Sequence, residues 1–203
     1  MRLQDADLAA FIRELQLGDV HLAGASYGGY AALIHVLQHP DMVDRLVLVE
    51  PPVHRWLLDV PDGKTLFHEL LENVLQQARR LFARGEVEKA VRIFADGVGG
   101  AGTFDQLPPA TRLDNANAIR ALVNTADPFP MLARKEVRKI KAPTLLIEGE
   151  RTTAIHRFVN DELLRCLPRS QRTIIPQAAH SPGRENAEAF NRAVLCFLNC
   201  AGY

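Results

Sequence analysis

The chain has 203 residues, of which 47% are hydrophobic and 24% charged, as in an ordinary globular protein. Lys plus Arg and Asp plus Glu both total 24, so no excess positive charge is available for a phosphate backbone, and no nucleic-acid partner is expected. No apolar run approaches the roughly 18 residues of a membrane span, and acidic residues stand where a signal peptide would have its apolar segment. We therefore expect no membrane partner.

Three cysteines, Cys166, Cys196 and Cys200, are too few for a disulfide framework and odd in number. They are interpreted as buried free thiols, which predicts a cytoplasmic protein. Cys196 and Cys200 lie four residues apart but lack the further ligands that a structural zinc ion needs, so no metal site is predicted.

The first quarter of the chain alternates between helical and strand patterns. The expected elements are a helix over 4–16, a strand over 20–23, a helix over 30–38 and a strand over 45–50. In the first helix the apolar face is Leu8, Phe11, Ile12 and Leu15. The strand over 45–50 is hydrophobic without interruption, which is typical of a strand buried on both faces.

The pattern changes between residues 53 and 138, where only helices are predicted. They cover 64–84, 86–96 and 110–124, with a break at Gly97–Gly102. The alternation then resumes with a strand over 143–148, a helix over 157–167, a strand over 172–175 and a helix over 185–199. We therefore predict an α/β fold, a mostly parallel sheet with helices on both faces. Its core is formed by 1–52 and 139–203, and 53–138 is a helical cap insertion.

A nucleophile motif lies between the first predicted strand and the helix that follows it. Gly24-Ala25-Ser26-Tyr27-Gly28 matches G-x-S-x-G in the strand–turn–helix context that this motif requires. A turn this tight predicts that neither Gly24 nor Gly28 has space for a Cβ atom. Ser26 would be the nucleophile at the start of a helix, where the Tyr27 backbone N–H can stabilise an oxyanion.

The candidate general base is His180. It follows the last predicted strand in a polar loop just before the final helix. Because the loops after parallel strands meet at one edge of the sheet, this loop is expected to return to Ser26. The order Ser before His also fits the motif.

These residues resemble the alpha/beta-hydrolase fold superfamily, in its cofactor-free serine hydrolase branch with a helical cap. The resemblance rests on HLAGASYGGYAAL, RLVLVEPP, APTLLIEGE and the tail IIPQAAHSP…ENAEAFNRAVLCFL. It implies a carboxylesterase-like hydrolase of small ester-like or carbonyl substrates that works through an acyl-enzyme, without metal or organic cofactor. Carbon–carbon bond hydrolases and haloperoxidase-like enzymes share this fold.

The sequence does not settle which acid would orient His180 as the third member of a Ser–His–acid catalytic triad. The superfamily usually places the acid shortly after the strand PTLLIEGE, where this chain has Thr152. An acid at the end of the preceding strand is an alternative, and Glu50 stands there. Glu50 is favoured, with Glu150 as the alternative acid, and Asp161 or no acid at all remains open.

The resemblance also implies three or four strands before the nucleophile strand, together with a loop that donates a second oxyanion N–H. Only one helix precedes Val20 here, so we expect an N-terminally incomplete core with the nucleophile strand at the edge of the sheet. A bare edge predicts a possible homodimer. The competing function is a truncated, weakly active or inactive hydrolase-fold protein that serves as a binding or assembly module.

Overall fold

The computed structural model describes residues 2–199, with side chains from residue 6 onward. A single four-stranded sheet consists of β1 (Val20–Ala25), β2 (Val43–Val49), β3 (Thr144–Gly149) and β4 (Ser170–Ile175). All neighbouring strands are parallel, in the order β1-β2-β3-β4. The predicted α/β class and parallel sheet are confirmed.

Eleven α-helices in residues 2–199 surround this sheet. They are α1 (Arg2–Glu14), α2 (Tyr27–Gln38), α3 (Gly63–Glu69), α4 (Gln77–Ala83), α5 (Val87–Gly99), α6 (Thr103–Gln106), α7 (Ala116–Asn124), α8 (Arg134–Val137), α9 (Ala154–Cys166), α10 (Pro182–Glu185) and α11 (Ala187–Asn199). A π-helix, Leu70–Gln76, joins α3 to α4. None of the described helices is long and apolar enough to cross a membrane.

The two faces of the sheet are covered by two hydrophobic clusters. The larger one packs α2 and α9 against the sheet and continues into the helices between β2 and β3. The smaller one places Phe197 of α11 against Val47, Val49, Leu145 and Ile147. β2 and β3 therefore lie between two apolar layers, which explains their continuous hydrophobicity. The division into a core and a cap domain at residues 53 and 138 stays a prediction.

Two local expectations are wrong. The predicted break at Gly97–Gly102 begins too early, since α5 continues to Gly99. Among the described side chains of α1, Ala9 and Ile12 are buried and Phe11 is 59% exposed, and Leu15, just after the helix, is 53% exposed. The apolar face predicted for this helix is therefore only partly used within the described chain.

Strand β1 forms an edge of the sheet. Within residues 2–199 it pairs with β2 alone, and its residues alternate between half-buried and exposed. The expected edge position of the nucleophile strand is confirmed. The homodimer through this edge stays a prediction.

Candidate active site

Ser26 occupies the sharp turn between β1 and α2. Its backbone has φ 49° and ψ −123°, a positive φ that L-residues adopt rarely and that marks strain. The turn is anchored by a hydrogen bond of 2.8 Å from Ser26 N to Val49 O at the end of β2. Tyr27 is the first residue of α2, so its N–H has no intrahelical acceptor and is available to an oxyanion.

The glycines of this turn differ from the prediction. A Cβ on Gly24 would lie 2.4 Å from the Gly28 carbonyl oxygen, so Gly24 is confined as expected. A Cβ on Gly28 would meet no atom within 4 Å, so the predicted steric need for Gly28 is wrong. The second tight position is Gly29, where a Cβ would lie 2.9 Å from Gly24 O and 3.1 Å from Pro51 Cβ. The close approach of β1 and α2 therefore restricts Gly29, which lies outside the motif, and does not restrict Gly28.

Glu50 and His180 form a close pair at the carboxyl edge of the sheet. His180 Nδ1 lies 2.6 Å from Glu50 Oε2, and the Glu50 side chain is fully buried. Glu50 directly follows β2 and has a positive φ of 44°. Glu50 and His180 meet because β2 and β3 are neighbours in the sheet. The loop after β4, which contains His180, returns past the end of β3. The structure thus brings together the two residues that the sequence places 130 positions apart.

Three donors hold the Glu50 carboxylate. Gly149 N donates to Oε1 at 2.9 Å, Thr152 Oγ1 donates to Oε2 at 2.8 Å, and His180 Nδ1 is the third. Thr152 thus occupies the position where the superfamily usually has its acid, and it supports the relocated one. Hydrogen bonds to a carboxylate favour its charged form and fix its orientation.

The other candidate acids contact different partners. Glu150 Oε2 accepts a hydrogen bond of 2.8 Å from Gln177 N, which holds the loop after β4. Asp161 forms an ion pair of 2.6 Å with Arg172. Neither pairs with His180 in the described residues, so the geometry favours Glu50 as the acid.

The histidine loop is positioned by Glu185 at the end of α10. Its two carboxylate oxygens accept hydrogen bonds from the backbone N–H groups of Ala179 and Ser181, at 2.5 and 3.0 Å. These donors flank His180. A Cβ on Gly149 would lie 2.1 Å from Ala179 O, so the loop also packs directly on the end of β3. The base is therefore held by backbone contacts on both sides.

Ser26, Tyr27 and His180 line one cavity of about 950 Å³. Its lining also includes side chains of α5 and α7, among them Phe94, Val98 and Leu122. A strained serine, a histidine paired with a buried carboxylate and a free helix N–H are the parts required for acyl transfer. The described geometry shows the His–Glu pair directly and places the serine in the same cavity.

A family comparison agrees with this geometry. The model of the alpha/beta hydrolase family matches residues 2–193. The chain belongs to the alpha/beta hydrolase family.

The curated relatives of this chain include proteins named as hydrolases. A 2-hydroxy-6-oxononadienedioate/2-hydroxy-6-oxononatrienedioate hydrolase from Burkholderia vietnamiensis is 27% identical over 94% of this chain and 66% of its own length. The protein of the same name from Escherichia coli K12 is 24% identical over the same shares. The chain thus spans about two thirds of the length of these relatives.

Solved alpha/beta hydrolases share the fold. A carboxylesterase from Bacillus subtilis superposes with a TM-score of 0.70 at 23% identity, covering 98% of this chain and 66% of that one. A bromoperoxidase from Bacillus anthracis gives a TM-score of 0.69 at 21% identity, covering 97% of this chain and 73% of that one. At these identities the likeness establishes the fold alone.

Two histidines of the site have no predicted role. His54 follows β2 and His156 lies in the first turn of α9, and both line the cavity. The His156 ring stacks on the His180 ring, with centroids 4.2 Å apart and an angle of 16° between the planes. The residues come from separate segments without a shared motif. The only signal that the sequence carries is that each histidine follows a strand by a few residues, β2 for His54 and β3 for His156.

The stacked pair also bears on metal binding. Glu50, His156 and His180 offer ligand atoms that lie within 4.8 Å of one another. Imidazole lone pairs lie in the ring plane, and two nearly parallel stacked planes do not converge on one ion at the roughly 2.1 Å that zinc requires. Glu50 Oε2 is moreover engaged by His180. The arrangement therefore favours an acid–base pair over a metal centre.

Proposed function

We propose that this chain hydrolyses small esters through a Ser26 acyl-enzyme, with His180 as general base, Glu50 as the triad acid and Tyr27 N–H in the oxyanion hole. The observation that supports it most is the 2.6 Å contact between His180 Nδ1 and the buried Glu50 carboxylate. The Glu50 carboxylate accepts a hydrogen bond from His180 Nδ1–H, so the unprotonated nitrogen of the ring, with its lone pair, is Nε2. That tautomer is the one a general base needs.

The proposed reaction proceeds in two halves. His180 Nε2 takes the Ser26 hydroxyl proton while Oγ attacks the ester carbonyl carbon, and Tyr27 N–H stabilises the oxyanion. The protonated His180 then gives its proton to the departing alcohol, and the acyl group stays on Ser26. Water, deprotonated by His180, attacks the acyl-enzyme and releases the carboxylic acid and free Ser26.

The cavity wall supports an apolar acyl or alcohol group in the substrate. Apolar side chains from the helices between β2 and β3 form much of its lining. They include Leu70, Leu75, Val91, Phe94, Val98, Ile119 and Leu122. Burial of such groups drives binding at about 25 cal/mol per Å² of apolar surface.

A second candidate is hydrolysis of a carbon–carbon bond beside a ketone, as the names of the curated relatives suggest for those proteins. The specific observation is Arg184, which lines the cavity and has no ion pair with any residue in 2–199. A guanidinium on the cavity wall fits a substrate carboxylate. If this candidate applies, the chain cleaves a 2-hydroxy-6-oxo dienedioate, followed as loss of the substrate's absorbance, and Arg184→Gln raises KM for it while KM for 4-nitrophenyl butyrate stays unchanged.

The function is tested with 4-nitrophenyl butyrate and three variants. Ser26→Ala and His180→Gln are expected to lower kcat by about 10³-fold or more, since each removes a member of one catalytic unit. Ser181→Ala, a neighbouring serine that also lines the cavity, is the matched control and keeps the activity. If the folded chain has no activity above the Ser26→Ala level, the esterase proposal is wrong and the competing function, a binding or assembly module, takes its place.

We also propose that the protein works in the cytoplasm. Cys166 and Cys196 are unbridged, which suits a reducing compartment. Cys166 is buried as predicted, whereas Cys196 is exposed, so that part of the thiol prediction is wrong. Cys200 lies outside the described residues. Cell fractionation with an antibody to the chain tests the location.

A further inference from the structure

The ring of His156 covers one face of the His180 ring. The two centroids are 4.2 Å apart and the planes are inclined by 16°, so the rings are stacked. His156 lies in the first turn of α9, whereas His180 lies in the loop after β4. The contact therefore joins the proposed base to a helix that contributes no member of the proposed triad.

The His156 ring is itself held on several sides. Its side chain is buried, and its Nε2 donates a hydrogen bond of 3.1 Å to the carbonyl oxygen of Val98, which can only accept. The His54 ring lies beside it, with centroids 5.7 Å apart, and the Phe129 ring packs edge-on against His54 at 4.7 Å. His156 therefore presents a fixed surface to His180.

The other contacts of His180 hold its backbone and one ring atom. Glu185 accepts hydrogen bonds from the N–H groups of Ala179 and Ser181, and the Glu50 carboxylate lies 2.6 Å from Nδ1. The last torsion of a histidine side chain has a broad energy profile, so a hydrogen bond at one edge of the ring restrains the ring plane only weakly. A stacked ring restrains the plane directly, because turning the plane breaks the face contact.

Burial also makes His156 compatible with the charge that His180 acquires in the proposed reaction. It lowers the pKa of His156 well below its usual value, and His180 adds to the effect. The His156 ring is therefore neutral near pH 7. Two positive charges at this separation would repel each other, whereas a neutral ring can stay stacked when His180 takes the Ser26 proton.

We propose that His156 is a positioning residue for the general base, and that its flat ring, stacked on His180, keeps Nε2 of His180 directed at Ser26. The inference rests on the proposed esterase function. A general base must lie within about 2.6–3.2 Å of the group whose proton it takes, and a misplacement of about 1 Å can cost on the order of 10²-fold in rate. Loss of the stack should therefore lower kcat. KM for a small ester should change little, because the contact is made with the base and not with the substrate.

Two substitutions of His156 isolate the flat ring. His156→Phe and His156→Leu both remove the hydrogen bond to Val98 and both place an apolar side chain in the buried position, but only Phe keeps a ring against His180. With 4-nitrophenyl butyrate we expect kcat of His156→Phe to stay within about threefold of wild type. That of His156→Leu should be roughly tenfold lower, with KM within about twofold in both variants.

A control and a spectrum separate positioning from general packing. Ile155→Ala removes a buried side chain from the same turn of α9 and should keep the wild-type kcat. Protons that lie over the face of an aromatic ring resonate upfield in NMR spectra. The His180 ring protons should therefore lie upfield in wild type and in His156→Phe, and move downfield in His156→Leu.

Three results would overturn the proposal. They are an equal kcat in His156→Phe and His156→Leu, a loss in Ile155→Ala as large as that in His156→Leu, and His180 signals that are the same in wild type and both His156 variants. If His156→Leu does not fold, His156→Met serves in the same experiments. Failure of the esterase proposal appears separately, as a wild-type chain that does not turn over 4-nitrophenyl butyrate. The spectra then decide by themselves whether His156 orients His180.

Discussion

Two neighbouring buried regions of the molecule treat their polar groups in opposite ways. At one, Glu50 is fully buried and accepts three hydrogen bonds, from Gly149, Thr152 and His180. At the other, His54 is almost as buried and neither of its nitrogens has a partner among the described residues. The distance between the regions is short, because His156 stacks on His180 and also lies beside His54.

The difference separates a preorganised group from an incomplete one. The Glu50 carboxylate is oriented before any substrate arrives, as general-base catalysis requires of the histidine it holds. His54 and His156 keep hydrogen-bonding capacity that no group in the described residues fills. The first region therefore supports the proposed chemistry, whereas the second is expected to cost stability.

The largest effect is expected from Glu50→Gln. The amide has no negative charge to stabilise protonated His180. Its single oxygen also cannot accept from the donors on both sides of Glu50, so its NH2 group faces either Gly149 N–H or His180 Nδ1. We expect kcat to fall on the order of 10³–10⁴-fold. Glu150→Gln, measured beside it with 4-nitrophenyl butyrate, should stay within about twofold of wild type, since Glu150 holds only the loop at Gln177. Equal losses in both variants would remove the distinction between the two acids.

A smaller effect is expected from Thr152→Val, which deletes one donor to Glu50 and preserves the shape. The buried carboxylate then loses a hydrogen bond, so the free energy of unfolding should fall by about 1–3 kcal/mol and kcat by roughly tenfold. Thr153→Val is the matched control, because the Thr153 hydroxyl is buried and has no hydrogen-bond partner among the described residues. It should be neutral or stabilising. Urea unfolding of both variants checks the order, and a Thr153 loss as large as that of Thr152 would contradict it.

The third prediction concerns stability in acid. The pKa of His54 is about 3 in the folded chain and about 6.5 when unfolded, so between these values the unfolded state binds more protons. Stability should therefore fall as the pH drops below 6.5, by about 1.4 kcal/mol per pH unit for this histidine. His156 acts in the same direction. Urea unfolding should show a shallower acid slope in His54→Phe, whereas the exposed His68→Phe should keep the wild-type slope.

The parts of the site that are local in sequence could be predicted. Ser26 and Tyr27 follow from a strand–turn–helix motif, and the parallel sheet follows from alternating strands and helices. The resemblance to the superfamily favours Glu50 over Glu150 because Glu50 stands at the end of the preceding strand, but only the folded chain shows Thr152 turned toward it. The sequence shows that Thr152 stands where the superfamily usually has its acid. It does not show that the Thr152 hydroxyl points toward Glu50.

The remaining parts depend on contacts between distant segments. Gly28 matches the motif, yet the close approach falls at Gly29 because helix α2 packs on Gly24 and Pro51. His54 and His156 are 102 residues apart in number and meet through the return of α9 to the edge of the sheet. Phe11 and Leu15 have helical spacing, but both are exposed, whereas Ala9 and Ile12 are buried. Spacing predicts which residues share a face, and not what covers that face.

The central claim is that Ser26 is a nucleophile activated by the Glu50–His180 pair. The most direct test is labelling of the purified chain with a fluorophosphonate probe, followed by mass spectrometry of its peptides. We predict that the label is found on Ser26, that Ser26→Ala abolishes it, and that Glu50→Gln and His180→Gln slow it strongly while Ser181→Ala does not. A folded chain that leaves Ser26 unlabelled, or that labels equally fast without Glu50 and His180, would contradict the claim.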